Sequence, residues 1–222
     1  MPDEVGPMEF HRHEGVEDWR VVGDGASAHF RTASFSASAR FAAAIGELEG
    51  INEHPPDVDM RANGVTVRLV TCNRDIYGVT TADVDVARRI SAIARDQRHV
   101  PDASAVQSLV VIPGALDTAA VIPFWRAMLG YEPRPDNPGE DLVDPHGRGP
   151  AFWFERMDEA RADGNGTIHV AIWVPHDQAE ARLKAAQAAG GWMVRDQFAP
   201  SFWTLADAAG NEADIATAMD RG

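Results

Sequence analysis

The chain has 222 residues, 45% of them hydrophobic, and a formal net charge of −14, which argues against nucleic-acid binding because phosphates attract cationic side chains. No apolar run approaches the ~20 residues that cross a bilayer, and the acidic first residues lack the apolar core of a signal peptide. The single cysteine, Cys72, excludes a disulfide within the chain, so we expect a cytoplasmic protein with small-molecule ligands and without nucleic-acid or membrane partners.

The first predicted hairpin and helix follow an irregular N-terminal stretch. Residues 1–15 show no hydrophobic periodicity, and we expect them to form a loose arm. Trp19–Val22 and Ala28–Thr32 flank a glycine-rich turn, which predicts a β-hairpin. Apolar residues then recur at helical spacing over residues 36–51, so we expect a helix after the hairpin.

A second hairpin and a second helix complete the first predicted domain. The dipeptide Asn63-Gly64 lies between two strand-like stretches and predicts a tight turn. Thr80 and Asp83 have the spacing of a capping box, which indicates that a helix begins there. The element order predicts an α+β domain over residues 16–97, with an antiparallel four-stranded sheet and two helices on one face.

The second half of the chain contains an internal repeat. It follows residues 98–105, whose turn-forming composition predicts a linker. A strand that ends in proline and a helix that ends in glycine occur twice, with Pro113 and Gly130 in the first copy and Pro175 and Gly190 in the second. The offset is about 60 residues, which predicts two copies of a unit built from a strand, a helix and further strands.

Several short motifs of the first half occur in the order found in one enzyme family. These motifs are Trp19-Arg20, Asn52-Glu53-His54-Pro55, the strand end at Thr71, and Gly78-Val79-Thr80 ahead of Asp83. Through them, the first domain resembles the pterin-4a-carbinolamine dehydratases. The resemblance implies a hydro-lyase that removes water from a 4a-hydroxytetrahydropterin, such as 4a-hydroxytetrahydrobiopterin, with neither a metal nor an organic cofactor.

The same resemblance implies the site residues. The reaction needs a base for the N5 proton and an acid for the departing hydroxyl group, and histidines serve these roles in the family. The family has two adjacent histidines before the proline, whereas this chain has Glu53 and then His54, and Cys72 follows Thr71 where a third histidine is expected. We assign proton transfer to His54 and to Glu53, the latter if burial raises its pKa. Asp83 either orients the site or serves only as a helix cap.

Motifs of the second half are similar to those of another family. They are Phe124–Tyr131, Asp144-Pro145-His146-Gly147, and Trp203–Asp207 with Gly210-Asn211-Glu212. Residues 106–218 therefore resemble the glyoxalase/vicinal-oxygen-chelate family, which implies paired βαβββ modules. Many members bind a divalent metal through the first and last strands of each module.

Two alternatives follow for the ligand of the second domain. The positions that match the family's ligands are His169, Glu155 and Asp214, which would form a three-ligand divalent-metal site. Alternatively, His169 is an interior polar group and the domain binds a planar or hydrophobic molecule without a metal, through aromatic strand residues such as Trp153 and Trp173.

The leading functional prediction is a dehydratase of 4a-hydroxytetrahydropterin with an appended domain that binds a small molecule. The alternative is a degenerate first domain that serves in binding or oligomerisation. In that case the second domain would be a metal-dependent enzyme or a metal-free protein that sequesters its ligand. Analogy with dehydratase-like domains also implies a homo-oligomer.

Overall fold

The α+β class is confirmed by a computed structural model, which describes residues 3–147, 149–159, 168–188, 190–206 and 212–220. The chain divides into two compact units. The first comprises Met1–Gln107, Pro175–Gln178 and Ala218–Gly222, and the second comprises Ser108–Val174 and Ala179–Thr217. Within the described residues, no helix has the length and apolar character needed to span a membrane.

The first unit is built on an antiparallel sheet with the strand order β1-β2-β4-β3. Strands β5 and β6 form a separate two-stranded ribbon. In chain order the elements are α1 (Pro7–Phe10), β1 (Arg20–Val22), β2 (Gly25–Arg31), α2 (Phe35–Gly46), β3 (Asp57–Arg61), β4 (Gly64–Leu69), β5 (Thr71–Cys72), β6 (Tyr77–Gly78), α3 (Thr81–Asp96) and β7 (Val100–Pro101).

The core of the first unit lies where the two long helices cover the sheet. Phe30 of β2 packs edge to face with Trp19 and with Phe41 of α2, at ring-centroid distances of 6.4 and 5.3 Å. The buried indole of Trp19 donates from Nε1 to the hydroxyl of Ser91 on α3 at 3.0 Å. The N–H group of the largest fully buried side chain is therefore hydrogen-bonded, as burial of a polar group requires.

The prediction of a loose N-terminal arm is wrong for residues 3–15. Val5 and Phe10 are buried, and the amide of Val5 donates to the carbonyl of Val79 at 2.8 Å. Hydrophobic periodicity gave no signal because α1 is only four residues long. A few buried apolar contacts nevertheless fix this segment against the first unit.

The expected linker at residues 98–105 also belongs to the first unit. Val100 and Pro101 form β7, which pairs with Arg31 and Phe30 of β2. The sheet therefore has five strands where four were expected. A two-residue strand is too short to produce an alternating pattern, so composition alone indicated a turn.

The second predicted hairpin is present, but its turn is displaced by one residue. Arg61 pairs with Gly64, so the connecting residues are Ala62 and Asn63. Gly64 instead begins β4, where an added Cβ would lie 2.5 Å from the ring of His29. A side chain at position 64 would therefore require the His29 ring to move.

The second unit contains a nine-stranded sheet with the order β14-β15-β16-β13-β8-β11-β10-β9, in which β12 also pairs with β8. In chain order its elements are β8 (Ser108–Ala115), α4 (Thr118–Leu129), β9 (Glu132–Pro133), β10 (Asp141–Val143), β11 (Ala151–Trp153), β12 (Glu155–Arg156), β13 (Ile168–Trp173), α5 (Ala179–Ala188), β14 (Trp192–Arg195), β15 (Phe202–Ala206) and β16 (Glu212–Ala216).

The predicted pair of modules is confirmed by this element order. β8, α4 and β9–β12 form one module, and β13, α5 and β14–β16 form the other. The first strands of the two modules pair antiparallel at the centre of the sheet. Gly130 and Gly190, which marked the repeat, both have positive φ angles, of 67° and 99°. Such angles follow helix ends, which explains why glycine recurs there.

Candidate functional site

The candidate site of the first unit is centred on a hydrogen bond between His54 and Asp83. Nε2 of His54 lies 2.6 Å from Oδ1 of Asp83. The Asp83 carboxylate is fully buried, whereas 24% of the His54 side chain is exposed. The buried carboxylate of Asp83 therefore holds an imidazole ring that solvent, and hence a ligand, can reach.

The second oxygen of Asp83 accepts hydrogen bonds from two threonines. Oδ2 lies 2.7 Å from the amide nitrogen of Thr80, and 2.9 Å from the hydroxyls of both Thr80 and Thr71. The two hydroxyl oxygens also lie 3.0 Å from each other. Each hydroxyl has one proton, so when both donate to Asp83 neither has a proton left for a hydrogen bond to the other. Together with the hydrogen bond to His54, these bonds offset the free-energy cost of burying the Asp83 carboxylate.

Local sequence explains how these groups meet. Thr80 and Asp83 form the predicted capping box, which is confirmed and which fixes the carboxylate at the first turn of α3. His54 follows a short 3-10 turn, Ile51–Glu53, and precedes Pro55, which keeps its backbone out of the α-helical region. Thr71 reaches the carboxylate because β5 pairs with β6 just before α3.

The arrangement determines which nitrogen of His54 can react. Oδ1 of the carboxylate can only accept, so in the neutral ring the proton resides on Nε2. Nδ1 then has the free electron pair, and no partner occupies it among the described residues. Asp83 thus holds the ring in one tautomer and one orientation, which prepares Nδ1 to accept a proton.

The other predicted residues around this pair are placed differently. Glu53 is exposed, so the burial on which its predicted role depended is absent, and no hydrogen bond joins its side chain to His54 or Asp83. Cys72 is also exposed and pairs across the ribbon with Tyr77. Thr71 was not predicted as a site residue, because only the folded ribbon brings its hydroxyl to Asp83.

The predicted metal ligands of the second unit are only partly described. The side chain of His169 lies outside the described residues, although its backbone pairs with Ile112 in β8. Glu155 is exposed and pairs with Gly114. Asp214 is buried and accepts a hydrogen bond from the hydroxyl of Thr204 at 2.7 Å.

Strand register separates the two carboxylates. Glu155 is level with Gly114 of β8, and Asp214 is level with Val110 through Ala171. This offset corresponds to roughly 13 Å along a strand, too far for Glu155 and Asp214 to share one ion. Among the described side chains, no group of three or more His, Cys, Asp or Glu residues could hold a metal.

The register instead places aromatic residues on the face of the large sheet that is opposite α5. Leu205 and Ile215 pack against α5, so Thr204 and Asp214, their neighbours along the strands, lie on the other face. Trp153, Trp173 and Trp192 share that face. Trp153 and Trp192 are 44% and 53% exposed. We call these three residues the tryptophan face.

Comparison with known proteins extends these observations to the whole chain. Residues 8–93 match a family model described as pterin 4 alpha carbinolamine dehydratase, and residues 109–216 match one described as a glyoxalase-like domain. A protein of Nocardia farcinica that carries the dehydratase name is 33% identical over 82 residues, 37% of this chain and 84% of that protein. Another, from Thermosynechococcus vestitus, is 34% identical over 95 residues, 42% of this chain and 98% of that protein.

Two solved structures were also found. A transcriptional coactivator/pterin dehydratase from Brucella melitensis has 25% identity and a TM-score of 0.35, and the match covers 41% of this chain and 99% of that one. A glyoxalase/bleomycin resistance protein/dioxygenase superfamily member from Vibrio splendidus has 13% identity and a TM-score of 0.33, with 50% and 99% covered. From the family models and the named relatives, the chain belongs to the pterin-4a-carbinolamine dehydratase family through its N-terminal domain and carries a glyoxalase-like domain after it.

Proposed function

We propose that the N-terminal domain is a hydro-lyase that dehydrates 4a-hydroxytetrahydropterins. The observation that carries this proposal is the His54–Asp83 pair, in which a buried carboxylate fixes an accessible imidazole with Nδ1 free. A dehydration of this kind needs a base for the N5 proton and an acid for the departing hydroxyl group, and one group that both accepts and donates a proton can serve as both. Histidine is the side chain best suited to that work near neutral pH.

The proposed reaction has a simple balance of protons and electrons. Nδ1 of His54 accepts the proton of N5, and the electron pair of the N5–H bond forms the C4a=N5 double bond. The C4a–O bond breaks at the same time, and the oxygen leaves with its electron pair. His54 returns the proton to that oxygen, so the products are water and a quinonoid dihydropterin. No oxidant or reductant is consumed.

Asp83 and Glu53 have supporting roles in this proposal. Asp83 keeps its two oxygens as acceptors and stabilises the positive charge that develops on His54 during proton transfer. Glu53 lies one residue before His54 and is exposed, so we propose that it exchanges protons between the site and solvent. Water can share that role.

The proposal is tested by following the decay of 4a-hydroxytetrahydrobiopterin by absorbance after rapid mixing. We expect the purified chain to accelerate the decay at least about tenfold over buffer. Glu53→Gln should lower kcat by only about two- to fivefold, because solvent can replace an exposed carboxylate in proton exchange. A decay rate equal to that in buffer would exclude dehydratase activity. A hundredfold loss of kcat in Glu53→Gln would show that Glu53 takes part directly in the proton transfer and does not only exchange protons with solvent.

We also propose that the glyoxalase-like domain binds a planar aromatic molecule on the tryptophan face. The supporting observation is that two of these indoles are about half exposed on a sheet face that no described helix covers. Indole faces attract flat and cationic molecules, and the net charge of −14 favours a cation over an anion. This proposal needs no metal.

Equilibrium dialysis with proflavine, a planar aromatic cation, tests this second proposal. Trp153 and Trp192 lie on strands five positions apart in the sheet, so at least one of Trp153→Ala and Trp192→Ala should raise the dissociation constant about fivefold or more, the loss expected for one aromatic contact. Phe35→Ala, at an exposed aromatic residue of the first unit, should leave it unchanged. Equal binding by all variants would exclude the tryptophan face. A stoichiometric divalent metal that is lost in Asp214→Ala would favour a metal-dependent enzyme.

A further inference from the structure

The first residues described pair with the chain beside the candidate site through an isolated β-bridge. The amide of Val5 donates to the carbonyl of Val79 at 2.8 Å, and the amide of Thr81 donates to the carbonyl of Asp3 at 3.0 Å. Glu4 and Thr80 are antiparallel partners between these two bonds. The family model begins at residue 8, so it does not include this segment.

The pairing fixes the direction of the Glu4 side chain. The two hydrogen bonds flank the Glu4–Thr80 pair, which is therefore a non-hydrogen-bonded pair whose side chains lie close together on one side. On that side, the hydroxyl of Thr80 contacts Oδ2 of Asp83. The Glu4 side chain consequently leaves the backbone on the side of the His54–Asp83 site.

Gly78 gives a second and independent indication of the same placement. Gly78 pairs with Thr71 across the β5–β6 ribbon, so its α-carbon substituent would lie on the same side as the Thr71 hydroxyl that contacts Asp83. Oε1 of Glu4 lies 3.7 Å from the position that a Cβ of Gly78 would occupy. The Glu4 carboxylate therefore lies over Gly78, beside the threonines that hold Asp83.

We propose that Glu4 binds the aminopyrimidine ring of the pterin substrate, an inference that rests on the proposed dehydratase function. The ring presents the N3–H and 2-amino groups side by side as parallel donors. A carboxylate can accept both of them, in the geometry that makes paired hydrogen bonds strong. Glu4 is exposed and makes no side-chain hydrogen bond or ion pair with the rest of the described chain, so both of its oxygens can accept.

The geometry of the substrate agrees with this assignment. The N3–H and 2-amino groups lie on the outer edge of the pyrimidine ring, whereas N5 lies in the second ring, beyond the fusion carbon C4a. In the structure, Glu4 and His54 are separated by Thr80 and Asp83, which connect them. A pterin whose N5 faces His54 can therefore direct its aminopyrimidine edge toward Glu4, and the N-terminal segment confers specificity for 2-amino-4-oxo pyrimidines.

The test is Glu4→Gln compared with Glu9→Gln, a second exposed carboxylate on the N-terminal segment. We expect Glu4→Gln to raise KM for 4a-hydroxytetrahydrobiopterin about tenfold, with kcat within twofold, as for the loss of one charged hydrogen-bond pair. Glu9→Gln should leave both constants unchanged. With the 2-desamino analogue of the substrate, which keeps only the N3–H donor, Glu4→Gln should raise KM by a smaller factor than with the substrate itself, a difference that a merely structural role would not produce.

Calorimetric titration with tetrahydrobiopterin, which cannot lose water, separates this inference from the proposed reaction. A tenfold weaker dissociation constant for Glu4→Gln supports pterin binding by Glu4 even if the wild-type chain proves inactive as a dehydratase. Equal dissociation constants for the wild type and Glu4→Gln overturn the inference and leave the dehydratase proposal intact. Absence of tetrahydrobiopterin binding by the wild type also overturns it.

Discussion

Replacement of His54 by alanine is expected to lower kcat for 4a-hydroxytetrahydropterin dehydration about 100- to 1000-fold. In our mechanism the free Nδ1 accepts the N5 proton and then returns it to the departing oxygen, and general acid–base catalysis by one group has about this magnitude. In His54→Ala the buried Asp83 carboxylate still accepts hydrogen bonds from three groups, the amide and hydroxyl of Thr80 and the hydroxyl of Thr71, so the fold should persist. The measurement is the rapid-mixing absorbance assay, at saturating substrate.

His146→Ala provides the matched control for this substitution. His146 is an exposed histidine in a turn of the second unit, so its loss should change kcat by less than twofold. Circular dichroism of both variants should match the wild type. If His54→Ala retains wild-type kcat while folded, His54 does not transfer the proton and our mechanism is wrong.

Asp83→Asn is expected to lower both activity and stability. If the amide oxygen keeps the threonine donors, the amide NH2 faces Nε2 of His54 and forces its proton onto Nδ1, the atom that must accept a proton. If the amide is reversed, NH2 instead faces the Thr80 amide and two hydroxyls, which leaves buried donors unpaired. We expect kcat to fall about 10- to 100-fold, and the free energy of unfolding to fall by about 1–3 kcal/mol.

Ser34→Ala separates this dual role from helix capping alone. Ser34 caps α2, where its hydroxyl accepts from the amide of Ala37 at 3.2 Å. Its loss should lower the free energy of unfolding by about 1 kcal/mol and leave kcat unchanged. Urea denaturation and the absorbance assay of both variants test the comparison. An Asp83→Asn variant that loses stability but keeps full kcat would show that Asp83 is only a cap.

The parts of the first unit that depend on local sequence were predictable. The capping box of Thr80 and Asp83 is set within four residues, and the hairpins follow from alternating apolar residues. The contact between His54 and Asp83 was not local, since 29 residues separate them, and only the family resemblance suggested it. The contact of Thr71 with Asp83 could not be predicted, because the Thr71 hydroxyl reaches the carboxylate only through the pairing of β5 with β6.

The N-terminal segment and the second unit show the same limit. Val5 and Phe10 are buried by contacts with distant residues, which no pattern within residues 1–15 could indicate. The repeat revealed the two modules, because Gly130 and Gly190 each follow a helix with a positive φ angle. The relative positions of Glu155 and Asp214 depend on the register between strands of different modules, which the chain sequence does not encode in any short motif.

The central pairing of β8 with β13 makes each module depend on the other for solubility. The two strands are joined from Ile168 opposite Pro113 to Trp173 opposite Ser108, and β8 contains the run Leu109-Val110-Val111-Ile112. A fragment with only the first module would expose β8 as an open edge, and one with only the second module would expose β13. Such an edge readily pairs with a second copy and leads to aggregation. Because both modules are in one chain, the edges of β8 and β13 remain paired with each other and are not available to other molecules.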